Sequence, residues 1–282
     1  SQTSTENYFL SKGNFPSWAL GLSLLSTLIS SNTFLGYPEQ GFQSNWIYLL
    51  QGYMVPIVLL GTIWFIVPLF RKLIRLSTYE YFELRFGVFA RMYSSIAFVF
   101  THFSKMGTVL YLVSLALTSL TGIPISNFII FLALAIIILT LFGGIEAIIW
   151  MDVIQGFLLI GGGLLCVGIL LFKSTAGPVF MLTEAFSMKK IDFGPYNLSF
   201  SELTFWVMVI NGIFYTLQKY GTDQTIVQRY LTAKTDEDAK KAAYIGVLTC
   251  VPVWALFMLI GSLLFVFYNS GGVAIPEGMK SD

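Results

Sequence analysis

The chain has 282 residues, of which 56% are hydrophobic, 16% aromatic and only 11% charged, with a mean hydropathy of +0.76. That composition excludes an ordinary soluble domain, in which about a quarter of residues carry charge. The balance of 16 Lys and Arg against 15 Asp and Glu leaves no basic surface for a nucleic-acid backbone.

The opening segment, SQTSTENYFLSKGNFPSW, is polar and no small-residue cleavage site follows it. It predicts no signal peptide and reads as a loop entered from an earlier helix. A bilayer core takes about 20 mostly apolar residues per helix. Stretches at roughly 17–37, 45–70, 92–121, 125–143, 146–172, 203–231 and 243–268 meet that need. The chain is therefore expected to be one all-α transmembrane domain over 1–282, a fragment of a longer protein.

Lys and Arg gather on the cytoplasmic side of a membrane. With the N-terminus inside, the inner segments hold Lys12, Arg71, Lys72, Arg75, Arg85, Arg91, Arg229, Lys234, Lys240 and Lys241, whereas the outer ones hold Lys173, Lys189, Lys190 and Lys280. This asymmetry predicts an inside N-terminus in a plasma (inner) membrane, multi-pass. The loop RKLIRLSTYEYFELRFGVFAR alternates aromatic and charged residues as an amphipathic helix at the inner interface does. The outer loop from Lys173 to Leu203 is polar and punctuated by Gly and Pro, and predicts a short ordered lid.

Two spans carry polar interruptions. The first places Ser30, Ser31, Asn32, Thr33 and Gly36 where the bilayer midplane should be, and the sixth places Thr216, Gln218, Lys219, Tyr220, Gly221, Thr222, Asp223 and Gln224 there. Irregular backbone at that depth survives only in protein or beside a cavity. Interruptions at corresponding places in two halves point to a transporter's central site. Spans one and six imply five-helix repeats, 16–172 and then 203–268 as the first two helices of an inverted second repeat. Freed carbonyls suit Na⁺, and half-helix N-termini suit an anionic or hydroxylated solute. The competing explanation is that Ser, Thr and Gly only let helices pack closely.

Asp152 lies about two turns into the fifth span and is a candidate either to ligate a cation or to pair with Lys105. Lys105 has the same choice between pairing and contacting a solute. Lys219 stands four residues before Asp223, which favours a local ion pair. Gln51 is a neutral hydrogen-bonder that meets a solute or cross-links helices. His102, the single histidine, reads as a packing residue. The two cysteines, Cys166 and Cys250, sit in apolar runs, so no disulfide framework or Cys/His metal cluster is expected.

Several segments resemble the sodium/solute symporter family, which includes the sodium-coupled sugar, proline, iodide, vitamin and sialic acid transporters. They are STENYFLSKGNFPSWALGLSLLST, ISSNTFLG, STYEYFELRFG, GGIEAIIWMDVIQ and GTDQTIVQRYLTAKTDEDAKKAA. The resemblance implies the LeuT-type inverted five-helix repeat fold, here truncated to about seven transmembrane helices. It implies a Na⁺ site using the backbone oxygens of Ser26 and Ile29, whose eighth-helix partners the chain lacks, and an acidic residue at Asp152 associated with a second Na⁺ site or with cation coupling. It places Ser30, Thr33 and Gln51 against the solute. Ser30 with Thr33 is similar to the sialic acid branch, where Lys105 stands in place of an Arg. Thr216 and Lys219 replace the Asn and Tyr of the sugar carriers.

The expected function is sodium-coupled symport of a small polar solute, with a sugar acid such as sialic acid first. Other organic-solute symport in the same family, or a seven-helix channel or receptor, is the alternative. The expected partners are the solute, Na⁺, the lipid bilayer and the remaining helices of the same protein. An enzyme is not expected, because no H-E-x-x-H or G-x-S-x-G motif is present.

Overall fold

The computed structural model describes residues 15–29, 32–74 and 77–270. Among the described residues every regular element is helical, as the composition requires of a chain that must satisfy its backbone inside a bilayer. In chain order they are α1 (Ser17–Leu28), a π-helical turn (Asn32–Gly36), α2 (Tyr37–Gln43), a 3₁₀ turn (Trp46–Tyr48), α3 (Leu49–Leu73), α4 (Tyr79–Phe86) and α5 (Val88–Thr121). There follow α6 (Ile125–Lys173), α7 (Pro178–Ser187), α8 (Phe205–Thr222), α9 (Gln224–Thr232) and α10 (Asp236–Asn269).

Among the described residues, α3 with its preceding turn, α5, α6 and α10 are each long and apolar enough to cross a membrane. A fifth span results if Ser17–Leu28 and Thr33–Gln43 count as one interrupted helix. The 49 residues of α6 form two helical arms joined at a kink. Gly144 interrupts it at φ 58°, ψ −159°, a conformation open to a residue without Cβ. The two arms on either side match the separate spans expected at 125–143 and 146–172. The sixth expected span is α8 plus α9, divided at Asp223. The aromatic and charged loop folds as α4, and Arg91 pairs with Glu83 across the turn at Gly87.

The chain divides into two compact units, the first drawn from Ser1–Ser31, Leu59–Gln155 and Leu217–Val247, the second from Asn32–Val58, Gly156–Thr216 and Leu248–Asp282. In the first unit α1 and the start of α10 meet backbone to backbone. A Cβ on Gly21 would lie 2.6 Å from Ile245 Cγ2, and one on Gly246 would lie 2.9 Å from the Gly21 carbonyl oxygen. Leu20, Leu24, Leu25, Ile149, Ile226 and Val247 fill the core there. Arg71 secures the end of α9: its guanidinium donates to the carbonyls of Tyr230 (2.5 Å) and Ala233 (2.8 Å) and to Asp236 Oδ1 (2.7 Å). The two carbonyls lie at the C-terminal end of α9, where a helix leaves acceptors short of intrahelical partners.

In the second unit α2 packs on the later part of α10 just as closely. A Cβ on Gly41 would sit 2.3 Å from the Met258 carbonyl oxygen, and one on Gly261 1.9 Å from that of Pro38. Ile47, Leu50 and Met208 form one apolar cluster with Tyr53, Phe193 and Phe205 around it. Met181, Ala185, Leu263 and Val266 form another, which seats α7. Outside these cores, α5 and α6 expose Phe100, Phe103, Phe131 and Phe142, the apolar exterior of a membrane protein.

Candidate functional site

The first unit holds two largely buried clusters of charge. In one, Asp152 on α6 accepts hydrogen bonds on Oδ2 from Ser23 Oγ of α1 and from Arg229 Nη2 of α9, both at 2.6 Å. Arg229 Nε donates to the same Ser23 Oγ at 2.8 Å, and its Nη1 to the Thr225 carbonyl at 2.5 Å. Ser26 Oγ donates to the Asp152 carbonyl at 2.6 Å. The Arg229 and Asp152 side chains are 7% and 14% exposed, so solvent screens this pair little. Asp152 keeps its second carboxylate oxygen without a hydrogen bond among the described residues.

Asp152 stands beside the end of α1, which stops because Ile29 turns to an extended conformation (φ −92°, ψ 118°). The carbonyls of the last turn lie at the negative end of the helix dipole. Ser26 and Ile29 both belong to this end. Among the described residues no three His, Cys, Asp or Glu side chains converge on a point. The ligands on offer to a cation are therefore one carboxylate oxygen, a hydroxyl and carbonyls, the hard oxygens that suit an alkali cation.

The second cluster centres on Asp223, which caps the start of α9. Its Oδ1 accepts from Thr225 N (2.9 Å) and Thr225 Oγ1 (2.5 Å), and its Oδ2 from Lys219 Nζ (2.5 Å). This is the i, i+4 ion pair expected from the spacing. His102 Nε2 stands 3.8 Å from Asp223 Oδ1, and the ring lies against Phe98 with centroids 3.9 Å apart.

Lys105 is not paired with Asp152. Its ammonium has no hydrogen-bond or ion-pair partner among the described residues, and it lines a cavity of about 290 Å³ together with Thr27, His102, Val109, Ile136 and Thr225. Mostly apolar walls with a few polar groups are the usual make-up of a small-molecule pocket. A second cavity, of about 270 Å³, borders His102 and Asp223 and is walled by Tyr79, Phe82, Tyr93 and Phe98.

Thr33, Gln51 and Thr216 belong to the second unit. Thr33 is buried on the π-helical turn. Thr216 is buried and spends its hydroxyl on the Gly212 carbonyl at 2.7 Å. Gln51 lies where α3 and α8 approach closely, since a Cβ on Gly212 would be 3.0 Å from Gln51 Cα. Ser30 lies outside the described residues.

Arg229 and Ser23 are the groups that sequence reasoning passed over. By sequence Arg229 reads as an inner-side cation, and Asp152 as an acid whose partner is Lys105 or a cation. The signal available was an Arg at the end of an otherwise buried span, which needs a counter-charge in the same medium.

Comparison with known proteins follows the same lines. The profile of the family described as "Sodium:solute symporter family" matches residues 8–277. The chain is 34% identical over 287 residues to the sodium/sialic acid symporter NanT of Aliivibrio fischeri, covering 99% of this chain and 56% of that protein. It is 33% identical over 281 residues to the sodium/sialic acid symporter SiaT of Proteus mirabilis, covering 99% and 57%. A solved structure of a Na⁺-coupled sialic acid symporter, substrate-bound and outward-open, superposes with a TM-score of 0.94 at 33% identity, covering 99% of this chain and 60% of that one. The chain thus spans a little over half the length of these relatives.

Proposed function

The chain belongs to the sodium:solute symporter family, and from that premise we propose that it serves Na⁺-driven inward transport of a sugar acid such as sialic acid, by alternating access in the plasma (inner) membrane. Its relatives are transporters, and transport of this kind makes and breaks no bond, so it is not an enzyme. The observation that supports the reading is Asp152: a largely buried carboxylate with one oxygen fixed by Ser23 and Arg229 and the other open, beside the interrupted end of α1.

On this reading one Na⁺ takes the backbone oxygens of Ser26 and Ile29, and the open Asp152 oxygen serves a second Na⁺ site or the coupling of the cation. Arg229 holds Asp152 in place without occupying the whole carboxylate. Lys105, free in its cavity, meets the carboxylate of the solute. An ammonium keeps the charge of an Arg there but not the two-pronged geometry, so recognition is less directional. Ser30, Thr33, Gln51, Thr216 and Lys219 retain the solute contacts implied by the family resemblance. Lys219 acts as a charge already held by Asp223. The repeats run over 16–172 and from 203 to 268, the second inverted.

The energetics are adequate. Moving one positive charge inward through 100 mV is worth about 2.3 kcal/mol, roughly fiftyfold in solute concentration. The test is uptake of radiolabelled sialic acid, with galactose and proline as comparators, into proteoliposomes containing the full-length protein with and without an inward Na⁺ gradient. Sodium-dependent accumulation of sialic acid supports the reading. Uptake indifferent to Na⁺ refutes it, and Na⁺-dependent uptake of a comparator alone refutes the choice of solute.

A further inference from the structure

Lys190 lies in the outer loop, where a lysine would ordinarily sit in water, yet it is 8% exposed. Its Nζ donates to the carbonyls of Phe42 (2.7 Å) and Ser44 (3.1 Å), at the C-terminal end of α2. It also stands 3.7 Å above the centre of the Phe265 ring of α10. Three kinds of attraction converge on one ammonium: two carbonyl dipoles, the negative end of a short helix and an aromatic face.

The surroundings make the same junction. Trp46 N donates to the Asp192 carbonyl at 2.9 Å, Asn45 Nδ2 to the Gly194 carbonyl at 2.8 Å, and Trp46 Nε1 to Ser262 Oγ of α10 at 3.0 Å. The loop 190–194, the α2–α3 corner and α10 therefore share one knot. Beneath it, Gly41 and Gly261 bring α2 and α10 into backbone contact that admits no Cβ. Removing an ammonium from water has a cost, and burial holds Lys190 below the usual lysine range. A fold needing only to close a loop could have used an apolar residue at that position.

We propose that Lys190 is a positioning residue for solute transport: it ties the outer half of the interrupted first helix to α10, so that the two move as one body. Thr33 lies on the π-helical turn that leads into α2, so a loosened α2 leaves that hydroxyl less well placed. The functional part of this inference rests on the symport reading above, whereas the mechanical part does not.

The experiment uses the full-length protein in nanodiscs, with Cys166 replaced by Ser and spin labels at Glu39→Cys on α2 and Asn269→Cys on α10. Wild type should give one narrow distance distribution, unchanged by Na⁺ or sialic acid. Lys190→Met should broaden it, and Lys190→Arg should restore it. In proteoliposomes Lys190→Met should raise the solute concentration for half-maximal uptake on the order of tenfold, as the loss of a charge-assisted hydrogen bond would, with the maximal rate changed less than twofold. A narrow distribution in Lys190→Met overturns the proposal even if no transport is measured. Broadening with unchanged half-saturation in an active transporter overturns the positioning role. Equal loss in the Arg and Met variants also overturns it, because the carbonyl partners accept from either cation.

Discussion

Arg229→Met tests the charge arrangement around Asp152 most directly. The guanidinium makes three hydrogen bonds, to Asp152 Oδ2 (2.6 Å), Ser23 Oγ (2.8 Å) and the Thr225 carbonyl (2.5 Å). A methionine replaces its bulk but none of these. Asp152 is then a buried carboxylate supported by Ser23 Oγ alone among its side-chain partners. Breaking a buried pair from one side costs about 3–5 kcal/mol, most of it the penalty of stranding the other charge. Asp152→Asn combined with Arg229→Met strands no charge, so the pair should cost about 2 kcal/mol less than the sum of the single changes. Arg229→Lys keeps the charge but cannot reach all three acceptors and should fall between. The assay is reversible unfolding of the full-length protein in mixed micelles, followed by tryptophan fluorescence. A loss under about 1 kcal/mol for Arg229→Met, or additive costs in the double variant, would refute the reasoning.

Asp152→Asn, in a protein that stays folded, should weaken Na⁺ activation of uptake by at least tenfold, whereas Ser26→Ala, which keeps its backbone oxygen and loses only the hydroxyl's hydrogen bond to the Asp152 carbonyl, should weaken it less; equal sensitivity in Na⁺ titrations would refute that ranking. Lys105→Ala should raise the half-saturating solute concentration, and Lys105→Arg should preserve it, as read by uptake kinetics. Gly246→Ala should destabilise by about 1–3 kcal/mol through overpacking, since its Cβ would meet the Gly21 carbonyl oxygen and Leu24 Cβ, both at 2.9 Å, whereas Gly161→Ala, with nothing within 4 Å, should be tolerated in the same unfolding assay. In the loop that follows α7, the Tyr196 hydroxyl and the Phe193 and Gly194 amides hold the Asp192 carboxyl below the usual carboxylate range. Its contribution to loop order is therefore complete above the ordinary Asp value and is lost as pH falls through the lowered one. Protease sensitivity of the loop should rise at that lower pH, and Tyr196→Phe should move the rise upward.

Much of this molecule follows from composition and local pattern. Helices were forced by apolar stretches of bilayer length, because backbone polar groups in hydrocarbon must be satisfied within the segment. The end of α1, the break at Asp223 and the i, i+4 pair of Lys219 with Asp223 were legible because each depends on residues close in sequence. The two arms of α6 were legible from the glycines between them.

Partners far apart in the chain were not. Asp152 meets Arg229 and Ser23 across 77 and 129 positions, and hydropathy says only that such an acid needs a partner, not which of Lys105, a cation or Arg229 supplies it. Lys190 likewise reads as one more outer-loop cation until α2 and α10 bring carbonyls and a ring around it. Local periodicity determined where the helices run, while the buried charges were paired only by tertiary packing, because an ion's low-energy neighbour is set by distance and dielectric in space rather than by separation along the chain.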